Sequence, residues 1–313
     1  MSRPIASTII VWFLLVVTSV GALAQSIEAP LRRGLLGHYL IEVSINGQGP
    51  FTLAVDTAAS ATVFSGELIE ALGIAPIPGA SISVGAVGGS VMLDFYQISS
   101  IGFGEDVLTD IRVAGSAESS WPDFEEDVHA VLGVDVIGDF LPAFLESEGV
   151  FQLLPTDTEL SHRTEDWDTL DLVPAIAGLY FVNTEINGAP VSAVFDTGAA
   201  RNMMNRAAAA AAGFTHGDAR LSVDPKPLSG LDGQGTDAFL ANDVAITWAG
   251  SSFEPQTVSI ADIPIFVMLG MRDEALVLGA PMFGGRDFIV DYVADVVYIE
   301  PLETNEADEA STH

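Results

Sequence analysis

The chain has no cysteine among its 313 residues. This absence excludes a disulfide framework and a lipid anchor on cysteine, so stability must come from an apolar core. Basic residues are also scarce, because 11 Lys and Arg stand against 43 Asp and Glu and the formal net charge is −32. Such a field repels nucleic acid and anionic membrane surfaces. We interpret the charge as a well-solvated surface rather than as a site for a cationic partner.

Motifs of several enzyme classes are missing as well. Neither G-x-S-x-G nor G-x-x-x-x-G-K-[ST] occurs, which excludes the usual hydrolase elbow and the P-loop. The histidines are scattered, with no pair at metal-ligand spacing and no cysteine to complete a zinc site. We therefore predict neither a metal nor a cofactor. The five histidines are His38, His129, His162, His216 and His313.

Long apolar runs are missing except near the start of the chain. Arg3 is followed by an apolar run over 9–20 and by Ala-Leu-Ala at 22–24, the pattern of an export signal with a cleavage site. The run is too short for a comfortable membrane span. We predict a signal peptide at 1–24, a periplasmic or secreted protein, and no stable membrane insertion after cleavage. An uncleaved N-terminal anchor is the alternative.

One stretch occurs twice and organises the rest of the chain. Residues 51–60 read F-T-L-A-V-D-T-A-A-S and residues 191–200 read V-S-A-V-F-D-T-G-A-A, with Asp56 and Asp196 140 positions apart. The apolar run before each Asp predicts a strand that is buried on both faces. Another strand-like run and an Asn-Gly pair precede each one, which predicts a hairpin. Pro50 suggests that the turn extends slightly beyond two residues.

A short helix follows each Asp in the prediction. Ser65 and Asn205 are candidate N-caps, and Gly73 and Gly213 stand just past the predicted ends. Both pairs keep the 140-residue spacing. Each copy then has a Gly-rich turn, at 85–90 and 230–236, and a Val-Leu-Gly segment, at 131–133 and 277–279. An internal duplication therefore covers nearly the entire mature chain.

These motifs, in this order and present twice, resemble the aspartic peptidases, and more closely the bacterial, exported, single-chain retropepsin-like type with duplicated lobes. The resemblance spans about residues 37–301. It implies a mostly β fold of two similar retropepsin/pepsin-like lobes, each a closed β-barrel with a short helix, related by pseudo-two-fold symmetry. The expected organisation is a signal peptide (1–24), an N-terminal extension (25–36), lobe 1 (37–156), an acidic interlobe linker (157–175), lobe 2 (176–301) and an acidic disordered tail (302–313).

The resemblance also implies the chemistry. Two lobes related by a pseudo-two-fold axis bring Asp56 and Asp196 together, where two close carboxyls share one proton. The charged member takes a proton from a water molecule, and the protonated member donates to the scissile carbonyl. In the family the Thr of each motif, here Thr57 and Thr197, holds the opposite loop. The following Gly allows close backbone approach, which fits Gly198, whereas the first copy departs with Ala58.

A second departure concerns the pH of action. Ala59 and Ala199 stand where pepsin-like enzymes usually have a hydroxyl that can lower the carboxyl pKa. We therefore expect an optimum at mildly acidic pH rather than near pH 2.

The Gly-rich turns are candidate flaps that admit the substrate and close over it, with ordinary exposed turns as the alternative. The glycines of the Val-Leu-Gly segments are expected to pack beneath the catalytic turns. Asp135, Asp139, Asp287 and Asp291 are interpreted as turn and surface acids, and His38 as structural. The candidate flap glycines are Gly85, Gly88, Gly89, Gly230, Gly233 and Gly235.

The sequence thus predicts an aspartic endopeptidase that acts on a peptide or protein substrate and is a monomer. A catalytically inactive peptide- or protein-binding protein of the cell envelope is the rival, favoured by Ala58 and opposed by an intact Asp-Thr in both copies. A larger oligomer, in which each lobe pairs with another chain, is a third possibility.

Overall fold

The described chain is mostly β-structure. The computed structural model describes residues 26–301, with gaps at 116–120, 123, 125, 216, 229, 231–234, 249–250, 254 and 272. The predicted signal peptide (1–24) and acidic tail (302–313) lie outside the described residues. Within the described part of the chain, no helix has the length and apolar character needed to cross a membrane.

The strands and helices are bounded as follows. The first half contains β1 (Ile27–Arg33), β2 (Tyr39–Ile45), β3 (Gln48–Val55), β4 (Val63–Phe64), β5 (Pro76–Ala86), β6 (Gly89–Phe103), β7 (Asp106–Gly115), β8 (Ala130–Leu132), β9 (Leu141–Leu145) and β10 (Val150–Leu154). The second contains β11 (Asp168–Asp171), β12 (Val173–Pro174), β13 (Tyr180–Ile186), β14 (Ala189–Phe195), β15 (Met203–Met204), β16 (Leu221–Val223), β17 (Phe239–Val244), β18 (Ile246–Trp248), β19 (Ser251–Ser252), β20 (Gln256–Ile260), β21 (Ala275–Leu278), β22 (Phe288–Asp291) and β23 (Val296–Ile299). The helices are α1 (Gly66–Leu72), α2 (Val134–Ile137), α3 (Arg206–Ala211) and α4 (Pro264–Met268), with 3-10 turns at Ile176–Gly178 and Ala280–Met282.

Six strands of the first half close into a barrel. They follow one another in the order β2, β3, β8, β4, β7 and β6, and β6 pairs back onto β2. Strand β3 lies between antiparallel β2 and parallel β8. Its last residues, from Leu53 to Val55, are fully buried. This is the strand buried on both faces that the sequence predicts.

The second half repeats this barrel with one interruption. Strands β13, β14, β21, β15, β20 and β17 follow in the matching order. The ring then breaks at Ala245, and β18 completes it by pairing with β13. The mostly β, two-lobed fold with a closed barrel is therefore confirmed.

Both Asn-Gly hairpins form, but their turns are tighter than predicted. Asn46 and Gly47 alone connect β2 to β3, with φ of 52° and 72°, and the second copy does the same with 50° and 79°. Positive φ at both positions is typical of a type I′ turn, which matches the twist of the paired strands. The expected extension of the turn is wrong, because Pro50 lies inside β3. The pairing of β2 with β3 instead shifts its register between Val43 and Ile45.

The predicted helix ends are confirmed in both copies. The side chains of Ser65 and Asn205 each accept a hydrogen bond from the backbone N–H three residues further on, at 3.2 and 2.8 Å. Gly73 caps the end of α1 with φ of 62°, and Gly213 follows the end of α3 with φ of 84°. Glycine is favoured at such left-handed positions because it lacks a Cβ.

Six strands that continue the sheet of the first barrel through β1 join the two halves. Their order is β1, β10, β9, β22, β23 and β11, so strands of the first half pair directly with strands of the second. At the junction, the rings of Phe144 and Phe288 stack with centroids 4.4 Å apart, and both side chains are fully buried. The two lobes therefore share an apolar core at this junction.

Strands β1 and β11 occupy equivalent places in this sheet. Each pairs with the last strand of its own half, β10 or β23. Strand β1 then continues onto β2, and β12 pairs with β13 in the same way. The stretches interpreted as an N-terminal extension (25–36) and a linker (157–175) thus contain paired strands. The exact lobe boundaries stay predictions.

Candidate active site

Asp56 directly follows β3 and Asp196 directly follows β14. These two strands are equivalent in the two barrels. The backbone N–H of Asp56 donates to the carbonyl of Leu132 in β8 at 3.0 Å. The backbone N–H of Asp196 donates to Leu278 in β21 at 3.1 Å. Each aspartate is therefore fixed by the parallel strand pair of its own barrel.

Thr57 and Thr197 connect the two turns to each other. The Thr57 hydroxyl donates to the carbonyl of Phe195 (2.9 Å) and accepts from the N–H of Thr197 (3.0 Å). Reciprocally, the Thr197 hydroxyl donates to the carbonyl of Val55 (2.8 Å) and accepts from the N–H of Thr57 (3.1 Å). Both threonines are buried, and hydrogen bonds shielded from water are strengthened by the low local dielectric. These contacts have the form that the resemblance assigns to the two threonines.

The structure brings the two carboxyl groups close together. Each carboxyl acts on the pKa of the other, and a Cβ built on Gly198, two residues after Asp196, would overlap the carboxyl of Asp56. The N–H of Ala58 donates to Asp56 Oδ1 at 2.7 Å, and the N–H of Gly198 donates to Asp196 Oδ1 at 2.9 Å. Because two close carboxyls do not both ionise easily, the arrangement can hold one acid and one base side by side.

The surroundings of the two carboxyls raise the pKa of both. Burial raises the pKa of Asp56 to about 6, opposed by hydrogen bonds from the N–H groups of Ala58 and Ala59. Burial and the charge of Asp56 raise the pKa of Asp196 well above its ordinary value. Close carboxyls that cannot both ionise easily behave in this way. A pH range therefore exists in which the pair carries one proton.

The raised pKa of Asp56 has a consequence for stability. A carboxyl whose pKa is raised by folding contributes stability that is present below its unfolded pKa and is lost as the pH rises through its folded pKa of about 6. The variant Asp56→Asn has no proton to lose. We expect its melting temperature, relative to wild type, to be higher at pH 7.5 than at pH 3.5 by roughly 6–12 °C, about 3 kcal/mol. Calorimetry of both proteins at the two pH values measures this difference, and a constant difference would contradict the raised pKa.

Position 58 and position 198 are not equivalent in their surroundings. A Cβ built on Gly198 would overlap the carboxyl group of Asp56. Ala58, by contrast, does not have a positive φ, and its methyl packs against an apolar cluster of the second lobe that includes Phe266. The structure therefore accommodates the departure at Ala58 while the two carboxyls stay in contact.

The glycines of the Val-Leu-Gly segments lie beneath the turns. A Cβ on Gly133 would fall 2.6 Å from a carbonyl oxygen of the turn above it, and one on Gly279 would fall 2.8 Å from the equivalent oxygen. Their N–H groups donate to Thr62 (3.1 Å) and Asn202 (2.9 Å). Asp135 in turn accepts from the N–H and hydroxyl of Thr62 at 2.8 and 2.7 Å. Sequence reasoning missed Thr62 and Asn202, although their 140-residue spacing was a usable signal.

The aspartates that follow the Val-Leu-Gly segments differ in burial and in hydrogen bonding. The interpretation of Asp287 as a surface acid is wrong, because it is buried and accepts from the N–H and hydroxyl of Ser147 at 2.8 and 2.6 Å. It thereby ties the β9–β10 turn to the second lobe. Asp291 accepts from two N–H groups of its own turn, as expected of a turn acid. Asp139 is exposed.

The first candidate flap is the β5–β6 hairpin. Gly85 and Gly89 lie at the ends of its strands, and Gly88 lies in the turn between them. In the second candidate flap, Gly230 and Gly235 flank 231–234, so Gly233 lies outside the described residues. The roles of these glycines stay predictions.

The tip of the first hairpin reaches the second lobe. A Cβ on Gly85 would fall 2.7 Å from Cδ1 of Ile265 and 3.0 Å from Cε of Met268, both in α4. Val87 at the tip lies against Gly230 of the other candidate flap, at 3.1 Å from a Cβ built there. The hairpin therefore crosses from the first lobe to apolar side chains of the second.

Comparison with known proteins agrees with this architecture. The model of the family described as aspartyl protease matches residues 41–136 and 182–281, once in each lobe. A crystal structure of the aspartic proteinase from Irpex lacteus superposes with a TM-score of 0.60 at 13% sequence identity, covering 90% of this chain and 99% of that one. No curated protein sequence matches the chain. With a family model that matches both lobes, this chain belongs to the aspartyl protease family.

Proposed function

We propose that this chain is an endopeptidase that hydrolyses peptide bonds with Asp56 and Asp196 as its catalytic pair. The observation that supports this most strongly is the close approach of the two carboxyls, where two turns from different lobes meet and are held together by Thr57 and Thr197. Membership of the family supports a hydrolase acting on a peptide or protein. The roles of the two aspartates are the part that experiment must test.

In the proposed reaction the two carboxyls act as base and acid. Because burial raises the pKa of both carboxyls and the two groups interact, the pair would hold one proton as a unit. Its charged member would accept a proton from a water molecule, and its protonated member would donate toward the oxygen of the scissile carbonyl. Water then adds to the carbonyl carbon, so the enzyme forms no covalent intermediate. The N–H groups of Ala58 and Gly198 hold the carboxyls in place throughout.

The hairpin β5–β6 would cover the bound substrate. Its tip closes on Ile265 and Met268, and a polypeptide entering the cleft has to displace that contact or pass beneath it. Glycines next to the tip leave the backbone free to change conformation, as covering loops in enzymes do. We propose that the hairpin opens to admit an extended chain and then closes to exclude water.

The rival interpretation, an inactive binding protein, gains no support from Ala58. Its methyl group points into apolar packing with the second lobe, and the contact between the two carboxyls is present. A protein that only binds peptides has no evident need for two buried carboxyls that share a proton, because burying them costs stability.

Cleavage of an unfolded protein substrate across pH tests the proposal. The rate should rise as the pair loses its first proton and fall again as it loses the second, which gives a maximum at mildly acidic pH because burial raises the pKa of both carboxyls. Pepstatin should inhibit this activity, whereas a metal chelator and a serine-directed covalent inhibitor should leave it unchanged. Peptide fragments identified by mass spectrometry measure the cleavage directly.

Two results would overturn the proposal. The first is no cleavage at any pH between about 3 and 8, which would favour the binding protein. The second is a maximum of the cleavage rate near pH 2. It would mean that the two carboxyls have pKa values as low as those of enzymes in which a hydroxyl group donates to the carboxyl.

We further propose that the protein acts after export and as a monomer. The signal-like pattern at 1–24 supports a periplasmic or secreted location. The presence of both Asp-Thr turns in one chain supports a complete site without a second copy. N-terminal sequencing of the mature protein and its mass in solution test these two points, and distinguish a cleaved signal from a retained anchor.

A further inference from the structure

An ion pair joins the turn that carries Asp196 to the hairpin formed by β16 and β17. Arg201 lies in the segment that follows this turn, and its Nη1 atom donates to Oδ2 of Asp224 at 2.6 Å. Asp224 directly follows β16, at the base of the hairpin that contains the second candidate flap. The side chain of Asp224 is only 2% exposed and that of Arg201 is 35% exposed. Because breaking a shielded ion pair leaves an unpaired buried charge, this contact resists displacement of either partner.

Both ends of this ion pair are fixed to their own surroundings. The backbone of Arg201 packs against Gly279, since a Cβ built on Gly279 would fall 2.8 Å from the carbonyl oxygen of Arg201. At the other end, Asp224 Oδ1 accepts from the N–H of Lys226 at 3.0 Å. The N–H of Asp224 donates to the carbonyl of Ala238, across the hairpin, at 2.9 Å. Arg201 thus connects a fixed turn to both sides of the hairpin base.

The strand registers identify the residue of the first lobe that is equivalent to Asp224. From Met204 in the second barrel, the pairs formed by β20, β17 and β16 lead to the residue directly before Asp224. From Phe64, 140 positions earlier, the pairs formed by β7, β6 and β5 lead to the residue directly before Ile82. Ile82 is therefore the counterpart of Asp224.

The first lobe has apolar side chains at both equivalent positions. Ala61 stands 140 positions before Arg201, and Ile82 stands in place of Asp224. Ala61 belongs to a small apolar cluster, and Ile82 packs against that cluster. Apolar contacts have no direction, whereas a charge-assisted hydrogen bond joins two groups at defined atoms. The two hairpins are therefore attached to their lobes in different ways.

We propose that Arg201 is a positioning residue that holds the β16–β17 hairpin in place, through Asp224, as a fixed side of the substrate-binding site. The tip of the β5–β6 hairpin rests on this fixed side. Val87 at that tip lies 3.1 Å from a Cβ built on Gly230, and it packs against the apolar cluster that includes Leu228. Of the two candidate flaps, only the first then moves to admit substrate. The kinetic consequences of this inference rest on the proposed function, but the contact itself does not.

The test compares three variants of the full chain with a matched control. Arg201→Ala removes the donor and leaves the carboxylate of Asp224 buried without its ionic partner. Arg201→Ala combined with Asp224→Ile copies the first lobe and removes that unpaired charge. Arg201→Lys keeps a positive charge and a donor. The control is Arg206→Ala, because Arg206 forms an exposed ion pair with Asp262 in the same lobe, and such pairs contribute little.

We expect Arg201→Ala to raise KM about tenfold with kcat changed by less than about threefold, because a displaced hairpin weakens the binding of substrate and transition state alike. The double variant should recover the melting temperature of wild type but keep the raised KM, since apolar contacts stabilise the hairpin without fixing its place. Arg201→Lys should restore most of the wild-type KM, and Arg206→Ala should match wild type. A wild-type KM in Arg201→Ala, or in the double variant, would overturn the positioning role.

A second measurement does not depend on activity. Hydrogen exchange, followed by nuclear magnetic resonance, reports on the backbone N–H groups of Asp224, Leu228 and Thr236, which are all hydrogen-bonded across the base of the β16–β17 hairpin. In the double variant these groups should exchange at least about tenfold faster than in wild type, while those of β14 keep their wild-type rates. Arg206→Ala should leave both sets unchanged. Unchanged exchange at the hairpin base of the double variant would overturn the inference, even if the wild-type protein cleaves nothing and the proposed function itself fails.

Discussion

Asp196→Asn should abolish cleavage, with a loss of about a thousandfold or more in kcat. The amide has nearly the shape of the carboxyl, so the threonine contacts and the bond from the N–H of Gly198 can persist. What it cannot do is release a proton to the scissile carbonyl and recover it later. Initial rates on an unfolded substrate, measured at the wild-type optimum, give the loss. Asp56→Asn should produce a loss of similar size, because an amide cannot take the proton from water.

The two substitutions should also be strongly non-additive. Because the carboxyls share one proton, the double variant should lose little more than either single one, as residues that act as a unit do. The control is Asp110→Asn, since Asp110 is exposed and its φ of 59° suits asparagine. Near-normal activity in either single variant would contradict the proposed pair.

Gly198→Ala should cost about a hundredfold in activity or more, whereas Ala58→Gly should change it by less than about threefold. The reason is space, not backbone conformation, because Gly198 does not have a left-handed φ. A methyl at position 198 would overlap the carboxyl of Asp56, so either the turn or that carboxyl must move. At position 58 the native methyl already packs against the second lobe, and its removal leaves only a small gap.

This pair of substitutions is informative because positions 58 and 198 are equivalent in the two copies of the repeat and the two exchanges run in opposite directions. The kinetic measurement should be accompanied by the melting temperature of each variant, so that unfolding is not mistaken for misplacement. Gly198→Ala should remain folded near wild-type stability and still lose activity. If Gly198→Ala cleaves the substrate at the wild-type rate, the close approach of Gly198 to Asp56 is not required for activity.

The sequence predicted the parts of the site that the duplication exposes. The Asp-Thr turns, the helix caps and the glycines beneath the turns recur at fixed spacing, so each copy supports the interpretation of the other. The hairpin prediction was also correct in kind. It was wrong in turn length, because a proline can lie inside the first residues of a strand when its missing N–H is not needed for pairing.

The sequence could not reveal the contacts that join the two halves. Strand β1 pairs with β10, and β9 pairs with β22 across the lobe boundary, and neither pairing leaves a local pattern. Asp287 is a buried acceptor only because Ser147 of the other lobe reaches it. Such features follow from tertiary packing, which residue periodicity does not encode.

The threonine contacts have a consequence for the timing of synthesis. Thr57 needs the carbonyl of Phe195, and Thr197 needs that of Val55, so neither turn is complete in a chain that ends within the first lobe. A ribosome that has made the first barrel has produced one aspartate without its partner. Under the proposed mechanism, we therefore expect the growing chain to be unable to cut itself or its neighbours. In that mechanism, hydrolysis becomes possible only after the second turn has been translated and has docked onto the first.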